Sequence, residues 1–469
     1  MEDRRLRLSG QARLPGLHVG AVAFFIAASA IAQDVQRDAE RLMAAAITSQ
    51  QGYETLTYLT DNIGQRLSGS KNAAMAVQWT TKRLRSWGID AHTEKVMVPH
   101  WVRGAESARL VSHNDQSLAL TTLGMSVATT PGGITAEVIE AGSFEELSAL
   151  GRERVAGKIV ILNRAMDRDL VRAGRSFEAY RKAVEFRTKG ADQASPYGAV
   201  AVVIRSVGSA SLRTPHTGSV KYEGKVKAIP AAALAAEDAM LVHRLLSKGE
   251  KVRMNLVLRP RTFEDVQSAN VVAEIRGSER PEEIVLIGAH LDSWDLGTGA
   301  IDDGAGVAMV METMRLIHDL HLRPKRTIRA VLFMNEENGG RGGKQYAADH
   351  KNEKHIAAIE TDAGAATPRG FLTTLKGDAR AEFEQHVQLL DRVGAAKFDT
   401  AEHTGADTTP LIDAGVTGFG LVPDPRDYFD YHHSPADTLD KVDPHELAQN
   451  TAALAALAWV VAEEGIHAR

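Results

Sequence analysis

Residues 283–306 read EIVLIGAHLDSWDLGTGAIDDGAG, and the order of residue types here sets the reading of the whole chain. Ile284 to Ile287 is a near-continuous apolar run, the pattern of a strand buried on both faces. The run ends in side chains able to hold a metal: His290, Asp292, Asp295, Asp302 and Asp303. Glycines at 297, 299, 304 and 306 break regular structure and let backbone approach a ligand closely. From Ala305 to Ile317 the periodicity turns helical. Strand, polar loop, helix is the order in which an open α/β sheet presents a site at the carboxyl ends of its strands. A solvated acidic loop is the plainer alternative. Against it, a His-x-Asp at the end of a buried strand, beside paired aspartates, is costly to place without a cation.

The rest of the chain narrows the field. Its 469 residues suffice for two or three domains, and 44% hydrophobic with 25% charged residues is an ordinary globular composition. A net charge of −5 with no long basic run argues against nucleic acid as a partner. There is no cysteine, so disulfides, thiolate zinc sites and a cysteine nucleophile are excluded, and a metal must use His, Asp and Glu. At the N-terminus, Arg4, Arg5, Arg7 and Arg13 precede an apolar run from Val19 to Ile31, closed by Ala30-Ile31-Ala32. That order predicts a secretory signal over 1–32, an exported protein (periplasmic or secreted) and no stable membrane insertion after cleavage; an uncleaved anchor is the alternative.

Helices are expected over 35–60 and 72–87, the second with Ala73, Val77, Leu84 and Trp87 on one face, then an extended segment at 93–98. Between 105 and 265 the grammar changes to short strands at 134–139, 158–162, 199–204 and 252–258, interrupted by helices near 177–189 and 236–247. This reads as an inserted β-rich domain without chemistry of its own, its His113, His216 and His243 being ordinary surface or core histidines. From 266 onward strands are expected at 270–275, 283–289, 327–334, 355–360 and 416–422. The last helix opens on Asp443 as N-cap, with Pro444 first and Glu446 completing a capping box. The chain thus divides into 33–104 and 266–469 as one α/β catalytic domain, split by 105–265.

Three further stretches supply ligands. The strand ending at Met334 runs into Asn335-Glu336-Glu337, where strand geometry would point the two glutamates opposite ways, one to a metal and one to a water. Glu360 is followed by Thr361-Asp362-Ala363-Gly364, and Tyr431-His432-His433-Ser434-Pro435 lies in a polar loop near the C-terminus. His290, Asp302, Glu337, Asp362 and His433 together suit two zinc ions held by nitrogen and oxygen, with Asp302 bridging. Glu336 is then the general base, and Asp292 the acceptor for the imidazole N–H of His290.

The motifs HLDSWD at 290–295, GAIDD at 299–303, NEENGG at 335–340, ETDAG at 360–364 and HHSPADT at 432–438 resemble those of the co-catalytic dizinc aminopeptidases, within them the carboxypeptidase Q group. QRLSGS at 65–70 resembles the first segment of the same family. The resemblance implies a zinc-aminopeptidase-type mixed sheet flanked by helices, split by a protease-associated domain, and a homodimer. It implies the same five ligands and the same base. It implies that His433 rather than His432 is the ligand and that Asp303 follows the bridging residue across a strained peptide link. His432 departs from the family pattern, standing where relatives place a Tyr that touches the substrate carbonyl, and a role in polarising that carbonyl is the expectation for it; Trp294 is expected either to wall the substrate pocket or to pack. Asp407, in GADTTPL at 405–411, is read as a turn-capping carboxylate. The substrate class, small peptides and dipeptides with free termini, comes from the resemblance alone. Three alternatives stay open: an aminopeptidase acting on longer peptides, the same fold with another reaction (an amidohydrolase or a cyclising acyl transferase), and a peptidase-fold binding protein without catalysis. Loss of ligands or base would mark the last, and all six positions are present.

Overall fold

The computed structural model describes residues 19–466, with side chains from 34 onward. The expected signal segment over 1–32 falls outside the residues whose side chains are described. Among the described residues no helix is long and apolar enough to cross a membrane.

The apolar run opening at Ile284 becomes the strand Arg280–His290 at the heart of an eight-stranded mixed sheet. The strand order is Asp90–Val102, Arg261–Ile275, Arg326–Phe333, Arg280–His290, Lys354–Glu360, Thr417–Pro423, Pro368–Thr373, Phe398–Thr400. The four from Arg326–Phe333 to Thr417–Pro423 are mutually parallel, so their carboxyl ends open on one edge. Alternation buries both faces: Leu286 packs with Val331, Phe333 and Tyr346 on one side, while Val285 and Ile287 enter the larger core on the other. On that larger face lie Ala305–Asp319 and Pro444–Glu464, the latter wedged between the sheet and Val19–Thr48. Leu454, Leu457, Trp459 and Val461 are all buried, as a helix apolar around its circumference requires.

The expected helix at 72–87 forms as Lys71–Ser86, capped by Ser70, whose hydroxyl accepts from Ala73 N–H at 3.1 Å. The expected helix at 35–60 is broken at Ser49, where the hydroxyl accepts from Gln51 N–H at 3.1 Å and starts a separate turn. Asp443 caps the last helix by accepting from His445 and Glu446 N–H at 2.8 and 3.0 Å. The capping box is not completed, because the Glu446 carboxylate accepts from the Thr367 hydroxyl instead.

Residues 106–258 build a second eight-stranded sheet. Its strands Ile134–Ala141, Ile159–Leu162, Ala201–Arg205 and Ala231–Leu234 are parallel neighbours. Parallel pairs need crossovers, so this region holds more helix than a β-rich reading allows, including Phe144–Val155 and Glu185–Ala194. The first of these begins at Ser143, which accepts from Glu146 N–H at 3.1 Å.

Candidate metal centre

The carboxyl edge of the parallel strands gathers the residues singled out in the sequence. His290 closes its strand, and Asp302 sits on the short turn Ala300–Gly304 that leads into the helix Ala305–Asp319. Asp302 Oδ1 is 3.1 Å from His290 Nε2, which is 3.5 Å from Asp362 Oδ1. Asp302 Oδ2 is 3.2 Å from His433 Nε2, which is 3.0 Å from Glu337 Oε2. One carboxylate therefore stands between two histidine–carboxylate pairs. His432 stacks on His433 with ring centroids 3.6 Å apart, its Nε2 3.5 Å from Asp302 Oδ2 and its Nδ1 without a hydrogen-bond partner.

Donors about 2.0–2.1 Å from an ion in a tetrahedron stand roughly 3.4 Å from one another. The spacings of 3.0–3.5 Å around Asp302 match that figure on both sides. Charge points the same way. Burial, with Asp302 beside it, holds Glu337 well above the usual carboxylate range, and burial lifts Asp362 to about 6 and Glu336 to about 8. Burial works against charging both Asp302 and His290. Bonds from His290 and His433 nevertheless hold Asp302 well below its ordinary value, and the carboxylates of Asp362 and Asp302 hold the His290 ring well above its own. Carboxylates packed this closely, with two imidazoles and open space before them, fit divalent cations taking nitrogen and oxygen donors.

The supports differ in detail from the expectation. His290 Nδ1 pairs at 3.0 Å with the backbone carbonyl of Asp292, whose carboxylate lies 4.0 Å away. That carboxylate accepts instead from Asn335 and Glu336 N–H at 2.7 and 3.1 Å. Strand geometry has ended by then: Asn335 adopts φ 78°, and this turn, rather than alternation, sends Glu337 back toward His433 and Trp294 N–H (3.1 Å) while Glu336 lines the cavity. Asp303, joined to Asp302 by a cis peptide, is a cap: it accepts from His290 N–H at 3.0 Å and from Gly306 N–H at 3.1 Å. A Cβ at Gly306 would stand 2.3 Å from Asp303 Oδ1, which explains the glycine. Asp437 accepts from Ala300 and Ile301 N–H, both at 2.8 Å, tying the histidine loop to the Asp302 turn. Asp295 leaves the cluster for an ion pair with Arg103. At 405–408 the carboxylate that holds the turn is Glu360, accepting from Thr408 N–H at 2.8 Å, while the buried Asp407 carboxylate has no hydrogen-bond partner.

Sequence reasoning missed three groups. Arg66 is fully buried and donates to the carbonyls of Leu291, Gly64, Thr298 and Gly299 at 2.7–3.1 Å, fixing the loop before Asp302. His216, from the second sheet's unit, is buried and pairs through Nδ1 with the His432 carbonyl at 2.7 Å. Burial drops it to about 4, so it is neutral and donates that N–H. Its neighbours continue the contact: Thr217 N–H donates to the His433 carbonyl at 2.8 Å and Ser219 Oγ to the Glu337 carbonyl at 3.1 Å. Arg187 Nη1 lies 3.3 Å from His433 Nδ1. An isolated His and an isolated Arg in a helical stretch carry no signal of this kind. His113 and His243 do behave as surface histidines, each beside a glutamate.

A cavity of about 600 Å³ opens over the cluster, lined by Asp302, Glu336, Glu337, Asp362, His432 and His433 on one side and by Tyr180, Arg187 and Lys221 on the other. That is room for a small ligand. Trp294 does not line it: the indole is 4% exposed, packs with Leu67 and Trp101, and meets the His433 ring edge-on from behind.

A family model described as Peptidase family M28 matches residues 270–458. Carboxypeptidase Q of Mus musculus is 40% identical over 435 residues, covering 92% of this chain and 90% of its own length. The crystal structure of a Peptidase M28 precursor from Shewanella amazonensis SB2B superposes with a TM-score of 0.89 at 39% identity, over 93% of this chain and 99% of that one. A zinc aminopeptidase from Bacillus subtilis shares the fold with a TM-score of 0.64 at 18% identity, over 89% of this chain and 96% of that one.

Proposed function

The chain belongs to peptidase family M28, in its carboxypeptidase Q-like group, and from that premise we propose an exported dizinc exopeptidase that hydrolyses dipeptides with free termini. Membership makes it a zinc metallopeptidase of exopeptidase type. The observation that carries the finer reading is Asp302, with one oxygen toward His290 and Asp362 and the other toward His433. His290, Asp362 and Asp302 would hold one zinc; His433, Glu337 and Asp302 the other. Bound zinc supplies a Lewis acid and lowers the pKa of water toward about 7. Glu336 takes the proton of the attacking water and returns it to the leaving amine. Asp292 acts through the backbone, fixing the turn that presents Glu336. We assign to His432, on the cavity wall, contact with the scissile carbonyl. The second sheet's unit takes the part of the protease-associated domain.

The test is a panel of free dipeptides, N-blocked dipeptides and longer peptides incubated with the zinc-loaded protein. Cleavage confined to free dipeptides is the expected result. Cleavage of longer peptides from the amino end would replace the reading with an aminopeptidase, and none at all with a binding protein.

A further inference from the structure

Arg103 lies where the chain leaves the first sheet for the second, between the strands Asp90–Val102 and Glu106–Leu110. It is 8% exposed, and its guanidinium serves both sides of that crossing. Toward the first sheet it donates to both carboxylate oxygens of Asp295, Nε reaching Oδ2 at 2.9 Å. Toward the second, Nη1 donates to Thr121 Oγ1 at 2.8 Å and to the Thr122 carbonyl, and Nη2 to Thr217 Oγ1 at 3.2 Å, with Glu106 Oε2 3.8 Å from Nη1. The residues so held stand next to the metal cluster. Asp295 follows Trp294, whose N–H donates to Glu337 Oε1 at 3.1 Å and whose indole meets the His433 ring edge-on. Thr217 N–H donates to the His433 carbonyl at 2.8 Å. Among the described residues no such bond from 106–258 reaches His290 or Asp362, which pair with Asp292, Asp302, Asp303 and one another.

We propose that Arg103 is a positioning residue for one metal position and not the other, holding Glu337 and His433 through Asp295 and Thr217. The inference rests on the dizinc reading above. A buried ion pair adds little net stability over apolar packing, so joining two units does not by itself call for one. What the planar fork adds is geometry, because its five donors can fix several acceptors in one arrangement. Both lines from the guanidinium end on a backbone N–H: that of Trp294 sets the Glu337 carboxylate, and that of Thr217 sets the His433 backbone. Glu337 Oε2 and His433 Nε2 stand 3.0 Å apart, and donors at that spacing tolerate only about 0.5 Å of drift before an ion is poorly held.

The experiment titrates chelator-stripped full-length protein with zinc against a chromophoric chelator, a readout that involves no turnover. The two positions are told apart in backgrounds that each lack one ligand: His290→Ala leaves the Glu337–His433 position as the tighter, and Glu337→Ala the His290–Asp362 position. Adding Arg103→Gln should raise the zinc dissociation constant by about 10–100-fold in the first background, the scale for a group that orients a ligand, and by less than about twofold in the second. The same factor in both backgrounds would mark a general loosening of the fold and overturns the inference, as does no change in either. Where Arg103→Gln fails to fold, Arg103→Lys, which keeps the charge and drops the fork, is read by the same comparison. Uptake of fewer than two zinc equivalents by the unaltered protein overturns the dizinc reading, and this inference with it; two equivalents with an unselective variant overturns this inference alone.

Discussion

At the scale of single residues, the centre separates a carboxylate that holds from one that works. Glu337 and Glu336 are adjacent, yet the first reaches His433 at 3.0 Å while the second has only the cavity before it. Glu336→Gln keeps the shape and removes the base, so zinc content should stay at the unaltered level while kcat falls by about a hundredfold or more. Metal analysis beside steady-state kinetics checks both halves; near-normal turnover would strip Glu336 of its role. The sequence made these two legible because an acidic pair after a buried strand is chemically conspicuous. Arg66 was not: it works through four backbone carbonyls, and carbonyls leave no trace in residue identity. The same blindness hid the acceptor for His290, a backbone oxygen of Asp292 rather than the carboxylate that stands out in the sequence.

At the scale of elements, the parallel strands were readable from unbroken apolar runs, Ile284–Ile287 being the plainest. The strand Ala231–Leu234, written AAAL, has no such signature, and only its place beside Ala201–Arg205 makes it a strand. What no periodicity conveys is that the loop 216–219, from one sheet's unit, braces the histidine loop of the other. His216 is the brace with the most to lose, since its ring N–H satisfies the buried His432 carbonyl. His216→Ala leaves that oxygen unpaired, at a cost of about 1–3 kcal/mol. The loosened loop carries His433 but not His290. Zinc should therefore be lost preferentially from one of the two positions: dialysis against a weak chelator should leave the variant nearer one equivalent than two. Equal retention by variant and unaltered protein would show that the contact does not govern the site.

At the scale of the whole molecule, the buried acids make the metal-free fold a proton-binding machine. Burial lifts Asp437 to about 7 and Glu336 to about 8, and holds Glu337 and Asp303 well above the usual range. His290 is also raised, against its burial, by the carboxylates around it. Each of these groups binds a proton in the folded state that the unfolded chain has already released, so the stability it contributes is lost as pH rises through its folded value. Burial acts in the opposite sense on His216, His355 and His433, all near 4, and on His432, whose folded states gain as pH rises until the unfolded chain has released its histidine protons, about one unit above the ordinary value of 6.5. Above about pH 7.5 the losing groups dominate. The unfolding midpoint of chelator-treated protein should therefore fall from about pH 7.5 to 9. Zinc supplies the missing positive charge and binds only deprotonated ligands, so its stabilisation grows over the same interval. Thermal melts of metal-free and zinc-loaded protein across that range should diverge, the loaded midpoint holding or rising while the free one drops. Parallel curves would mean that these acids are not held together for a cation.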